Sequence, residues 1–268
     1  MTIQDNRTAL KPQAGFTLVE LAIVMIIIGL LIGGVLKGQQ LITNAQITAT
    51  VAQIKAIDAA TTSFKDQYAS IPGDMLTPSA RIPNCPAAGS CGLVGNGDGR
   101  VGTASILFTA APVTEQISYW AQLNSAGLLT GINPSSTAVT AAAWGQYAPA
   151  SKVSGGGYDI GWYAGGITLA GLQDTTAALP APAGEYLALH GTAAVAVAGA
   201  AADSFLTPNL AARIDTKIDD GQPNSGTVLA AGNAGAGAAG CASAVGATGV
   251  YNESLTKAVC SLYIQFQN

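Results

Sequence analysis

Gly15-Phe16-Thr17-Leu18-Val19-Glu20 opens an apolar run that continues to Leu36. Phe16 to Leu36 is 21 residues. At about 1.5 Å per residue this makes about 31 Å of helix, enough to cross the hydrocarbon core of a bilayer. One charge interrupts the run, Glu20. A carboxylate near the middle of a membrane helix costs roughly 2.5–3.5 kcal/mol on insertion scales, and less near the interface. The chain must therefore use that charge or hide it. Lys37 closes the run at its far end, where its stem can snorkel. Gly29-x-x-x-Gly33 is a small-residue pair that permits close helix contact in lipid.

Upstream, residues 1–15 are polar, carry Arg7 and Lys11, and close on Ala14-Gly15. A secretory signal runs basic, apolar, then small-residue cleavage site. Here the small residue precedes the apolar run, so a cut after Gly15 leaves that run on the mature chain. The basic leader is expected to stay cytoplasmic and send the C-terminal bulk outward.

Downstream of Lys37 the apolar residues become a stripe. Ile47, Val51, Ile54, Ile57, Thr61, Phe64 and Tyr68 recur at spacings of three and four, the mark of a helix with one buried face. Pro72 disfavours helix at Ile71, and Gly73 suits the turn that follows. One helix is thus predicted from Phe16 to near Tyr68, its first half in lipid and its second a spine beneath a sheet.

Residues 69–112 read as irregular surface chain, punctuated by Pro72, Pro78, Pro83, Pro86, Gly89 and Gly92. Thr114-Glu115 opens a short helix with Ile117, Trp120 and Leu123 on one face and Gly127 as its C-cap. Trp120 is expected in the core. Strands are predicted at Tyr158–Tyr163, Gly166–Leu169, Glu185–His190 with a continuation at Ala193–Val197, Gly226–Ala230 and Ser261–Phe266. A helix is predicted from Thr207-Pro208 to Ile218. The fold class that results is α+β: a long N-terminal helix packed under an antiparallel sheet head with long loops. Residues 231–250 are nearly all Ala, Gly, Ser and Asn and bury too little area to order alone.

The four cysteines all lie beyond the membrane segment, which fits disulfides in an oxidising compartment. Four cysteines allow three connectivities. The pairing expected is Cys85–Cys91, closing a short loop, and Cys241–Cys260, stapling the low-complexity loop to the last strand.

Gly95-Asn96-Gly97-Asp98-Gly99 resembles the middle of a calcium loop, with Asn96 and Asp98 as candidate ligands. Val94 stands where the first acidic ligand belongs and Ser105 where the closing Glu belongs. The alternative is a glycine-rich turn in which Asn96 and Asp98 bond their own backbone.

Only 10% of residues are charged, the net charge is −4 and the mean hydropathy is +0.36. No basic cluster is present, which argues against nucleic acid as a partner. His190 is the only histidine and falls in an apolar strand. The sequence offers no convergent set of titratable groups for catalysis, so no enzyme is read from it.

Gly15 followed by Phe16-Thr17-Leu18-Val19-Glu20 and a long apolar run resembles the N-terminus of type IV pilins and type II secretion pseudopilins. Tyr68…Pro72-Gly73-Asp74-Met75, Glu115…Trp120…Leu128 and Ile214…Pro223 resemble, less specifically, the heads of large pilin-like proteins. The resemblance implies cleavage between Gly15 and Phe16 by a prepilin peptidase and methylation of the new Phe16 amine. It also implies pairing of Glu20 with the Phe16 amine of an adjacent subunit during assembly. A buried pair is tolerable where a lone buried charge is not. The domain reading is then a leader at 1–15, a membrane and assembly half at 16–36, an amphipathic spine at 37–70 and a head at 71–268. The implied partners are other pilin subunits, the peptidase and an inner-membrane assembly platform. The implied location is the bacterial inner membrane, with the head periplasmic, and then a filament. Many pilins have a proline in the apolar half of the helix; this chain has none there. Asp215, Asp219 and Asp220 form an acidic turn of the kind that binds calcium in some pseudopilins; the alternative is a solvated, capped turn. No cofactor is required. A minor or tip pilin, a secretion pseudopilin, and a membrane-anchored periplasmic enzyme are the competing functions.

Overall fold

The computed structural model describes residues 15–102, 114–133, 144–163, 182–191, 204–232, 240–243 and 249–266. The leader up to Ala14, Ser105, and the strands expected at Gly166–Leu169 and Ala193–Val197 lie outside the described residues. The chain divides into two compact units, Met1–Ala45 and Gln46–Asn268.

Helix α1 runs from Leu18 to Tyr68. In the first unit its apolar residues are all exposed, with Leu18 at 87% and Leu30 at 75%. The helix is long and apolar enough to cross a membrane. A contiguous apolar surface of this size needs lipid or other chains to cover it.

In the second unit the predicted stripe is the buried face of α1: Ile47, Val51, Ile54, Ile57, Thr61 and Phe64. Each fully buried large side chain contributes on the order of 1.5–3 kcal/mol. The sheet is antiparallel throughout, in the order β1-β2-β4-β3, with β1 at Gly157–Tyr163, β2 at Gly184–His190, β3 at Val228–Gly232 and β4 at Cys260–Gln265. The register sets Ile160 opposite Leu187, Leu187 opposite Ile264, and Ile264 opposite Val228. Because strand side chains alternate, these residues share one face, and they belong to the core that holds Ile54, Ile57 and Phe64. Tyr158 Oη on this face donates to the Thr50 carbonyl of α1 at 3.4 Å. Residues of the other face, among them Asp159, Tyr186, Ala188 and His190, are buried as well.

α2 is a single turn, Pro78–Arg81, opened by a proline at its first position, where the missing N–H costs nothing. α3 (Thr114–Ser125) places Tyr119, Trp120 and Leu123 fully inside. It ends as predicted at Gly127, whose φ is +73°. The Leu128 N–H returns to the Leu123 carbonyl at 3.0 Å, the Schellman arrangement. α4 (Pro208–Ile218) is capped by Thr207, whose side chain accepts from the Leu210 N–H.

The reading of residues 69–112 as surface chain is corrected in part. Gly73, Asp74 and Met75 are buried against α3. Gly73 has φ +89°, and a Cβ there would collide with the Glu115 carbonyl.

Candidate functional site

The N-terminal candidates lie at the start of α1. Thr17 is the residue before the first helical position, and Glu20 is in the first turn. The Thr17 N–H donates to Glu20 Oε2 at 2.9 Å, and Thr17 Oγ1 donates to the same oxygen at 2.8 Å. The Glu20 N–H in turn donates to Thr17 Oγ1 at 3.3 Å. This reciprocal pattern is a capping box, which satisfies helix-end donors that have no intrahelical partner. Glu20 Oε1 takes part in none of these bonds. The helix N-terminus also carries partial positive charge that favours a carboxylate there. Within one chain, then, Glu20 is held by its own helix end, with one oxygen left for a second donor. Thr17 is a residue that the sequence reading of Glu20 passes over, although Thr-x-x-Glu is the capping-box spacing. Phe16, beside it, is exposed.

The calcium candidates fall into two separate groups. Asn96 Oδ1 accepts from the Asp98 N–H at 2.9 Å, and Asp98 Oδ1 accepts from the Arg100 N–H at 3.0 Å. Asp98 Oδ2 accepts from Asn96 Nδ2 at 3.1 Å. These are successive turns closed by side chains. The loop's remaining amides point inward. Asp74 accepts from the Gly97 and Gly99 N–H groups at 2.6 and 2.7 Å. Glu115 accepts from Asn96 and Gly102 at 3.1 and 2.7 Å. Glu185 accepts from Val101 at 2.9 Å. All three carboxylates are buried. A calcium loop turns its oxygens toward an ion; this loop turns five N–H donors toward the head's own carboxylates, as a nest does toward an anion. Gly95 lets the loop touch down, since a Cβ there would meet the Asp74 backbone.

Asp215, Asp219 and Asp220 do come together, with one carboxylate oxygen from each lying within 4.8 Å of the others. Each is also occupied. Asp215 accepts from Tyr251 Oη at 2.8 Å and the Gly221 N–H at 3.3 Å. Asp219 accepts from the Thr227 N–H and from Thr227 Oγ1 at 3.2 Å. Asp220 accepts from the Gln222 N–H at 2.8 Å and Ser225 Oγ at 2.6 Å. Burial raises the Asp215 carboxyl to about 7, and the charges of Asp220 and Asp219 push the same way. Tyr251 Oη and the Gly221 amide oppose the shift. The three residues therefore brace the turn from α4 into β3 with bonds of their own.

His190 is not isolated. Its Nε2 lies 3.8 Å from Asp159 Oδ2, beyond hydrogen-bond distance, and that oxygen accepts from Tyr147 Oη at 3.1 Å. Trp144 meets the imidazole edge to face at 5.1 Å. Burial, together with the Asp159 charge, pushes the Tyr147 hydroxyl far up, so Tyr147 stays a donor. These residues meet only because β1 pairs with β2, a contact that no local motif announces.

The disulfides are Cys85–Cys91 and Cys241–Cys260, with Cα atoms 5.5 and 5.1 Å apart. Cys260 begins β4, so the second one ties the segment at Gly240–Ser243 to the sheet.

No curated protein and no solved structure is significantly similar to the chain. One family model does match. Residues 10–36 carry the prokaryotic N-terminal methylation motif, the prepilin motif of type IV pilins and pseudopilins.

Proposed function

We propose that the chain is a structural subunit of a type IV pilus-like filament. Its leader is removed between Gly15 and Phe16 by a prepilin peptidase, the Phe16 amine is methylated, and the subunit assembles through its N-terminal helix. The observation that carries this reading is the methylation motif at residues 10–36. Two features support it. The apolar surface from Phe16 to Leu36 is uncovered within the chain, and lipid before assembly and neighbouring helices after it are the environments that suit it. Glu20 has one oxygen outside the capping box, which in this reading takes the ammonium of a neighbour's Phe16. That pairing lowers the cost of both charges in lipid.

Before assembly the protein spans the inner membrane once, leader in the cytoplasm and head in the periplasm, where two disulfides are stable. The motif is shared by pilus and secretion-pseudopilus subunits, and the abundance of the chain in sheared surface filaments separates those roles. Glu20→Ala is the direct test of the pairing. The variant is expected to lose its leader normally and to be missing from the filament fraction. Wild-type filament yield from it would refute the role given to Glu20.

A further inference from the structure

Glu185 is the odd member of the three carboxylates that hold the Gly95–Gly102 loop. Asp74 and Glu115 each accept two amides, one per oxygen. Glu185 accepts one, from Val101, through Oε1. Its Oε2 is buried without a hydrogen-bond partner among the described residues, and the residue is 3% exposed. An ionised carboxylate removed from water needs donors on both oxygens or a close cation. A neutral one tolerates a single donor far better. Among the described residues, the charged and titratable groups that act on it are Lys65 of α1, Asp74 and Asp98 of the loops and Tyr119 of α3; Arg100, beside Val101, lies over Trp162, the residue opposite Glu185, and Glu115 takes the next amide, Gly102. Lys65 favours the charged form, and Asp74 and Asp98 oppose it.

The contact also sits beside β1, at the end of the described sheet. Val101 is fully buried, bonds Glu185 through its N–H, and accepts from the Trp162 N–H of edge strand β1 at 2.8 Å. Lifting Val101 would bring water to Glu185 without unpairing the sheet.

We propose that Glu185 makes the Gly95–Gly102 loop a proton-operated latch, closed on the edge of β1 while the carboxyl is neutral and released toward water when it ionises. Burial pushes the Glu185 carboxyl up to about 7 in the closed head, against the Val101 amide and Lys65, which lower it. In an opened, hydrated loop it returns toward its ordinary 4.5. The closed form therefore binds more protons between these values. Its advantage is complete below about 4.5 and is lost as pH rises through about 7. The loop also walls a cleft of about 880 Å³ through Gly97 and Gly99, together with Leu76, Arg81 and Trp162. Arg100 lies 4.6 Å from the Trp162 ring, so the latch sets the shape of that surface.

Amide hydrogen exchange on the full-length protein in detergent micelles tests the latch, with rates corrected for the intrinsic pH dependence. Protection of Val101 and Gly102 is expected to fall roughly a hundredfold between about pH 5 and pH 8.5, while the β2 and β4 amides keep theirs. In Glu185→Gln the fall should vanish. Asp74→Asn, which leaves the Glu185 carboxyl in place, should lower protection at every pH and keep a fall with pH, moved to lower pH because the Asp74 charge helps raise Glu185; it serves if Glu185→Gln does not fold. A flat wild-type profile, a slope that survives Glu185→Gln, a slope that Asp74→Asn abolishes, or a loss shared by β4 would each overturn the proposal.

Discussion

Replacing Asp74 with Ala should unfasten the Gly95–Gly102 loop from the turn that follows α1. The carboxylate accepts two amides, at 2.6 and 2.7 Å, from a buried position. Hydrogen bonds to a charged group contribute about 1.5–3 kcal/mol each, so two give roughly 3–6 kcal/mol. Removing the carboxylate also removes the cost of burying it, which places the net loss near the lower end, at about 3 kcal/mol. Glu115 grips the same loop, so Asp74→Ala and Glu115→Gln should couple: once one has freed the loop, the other has less to lose. Urea unfolding of the full-length protein in micelles, followed by near-UV circular dichroism, measures this. The midpoint should drop while the slope holds. Leu76→Ala, at a neighbouring exposed position, should stay within about 0.5 kcal/mol of wild type. An Asp74→Ala loss no larger than that of Leu76→Ala would refute the account of the loop as a nest around carboxylates.

Gly73→Ala should destabilise the head by about 2–4 kcal/mol, since φ is +89° and the new Cβ meets the Glu115 carbonyl; the same urea assay reads it. Replacing Cys241 and Cys260 together by serine opens a loop with a sequence separation of 19. The chain-entropy model gives a loss of about 3 kcal/mol, visible as a lower melting temperature that reductant no longer changes through this bond. Thr17→Ala removes the hydroxyl from the capping box and should fray the first turn of α1 by about 1 kcal/mol, seen as faster exchange of the Glu20 and Leu21 amides.

The helices and most strands were legible because their signals are local. The three-and-four spacing from Ile47 to Phe64 describes one face of one helix, and α1 buries that face. Gly127 marked the end of α3 because only a left-handed residue closes that turn comfortably. β3 begins at Val228 rather than Gly226, and the reason is tertiary. The Thr227 N–H is taken by the Asp219 side chain, so Thr227 stays out of the ladder and pairing starts at Val228, two residues later than expected. α2 is too short for any periodicity to show. The grip on the Gly95–Gly102 loop was illegible for a different reason. Asp74, Glu115 and Glu185 come from a turn, a helix and a strand far apart in sequence, and what they bind is backbone, which leaves no side-chain pattern. The same holds for Tyr147, Asp159 and His190, which meet only once β1 has paired with β2.

The central claim is that Gly15 through Glu20 is an assembly device exposed by processing. The most direct measurement is the mass and sequence of the N-terminus of the protein isolated from cells. The account predicts a mature chain that lacks residues 1–15 and begins with N-methylated Phe16, and an uncut chain from Gly15→Leu. A mature protein that retains residues 1–15, or that starts elsewhere than Phe16, would contradict it.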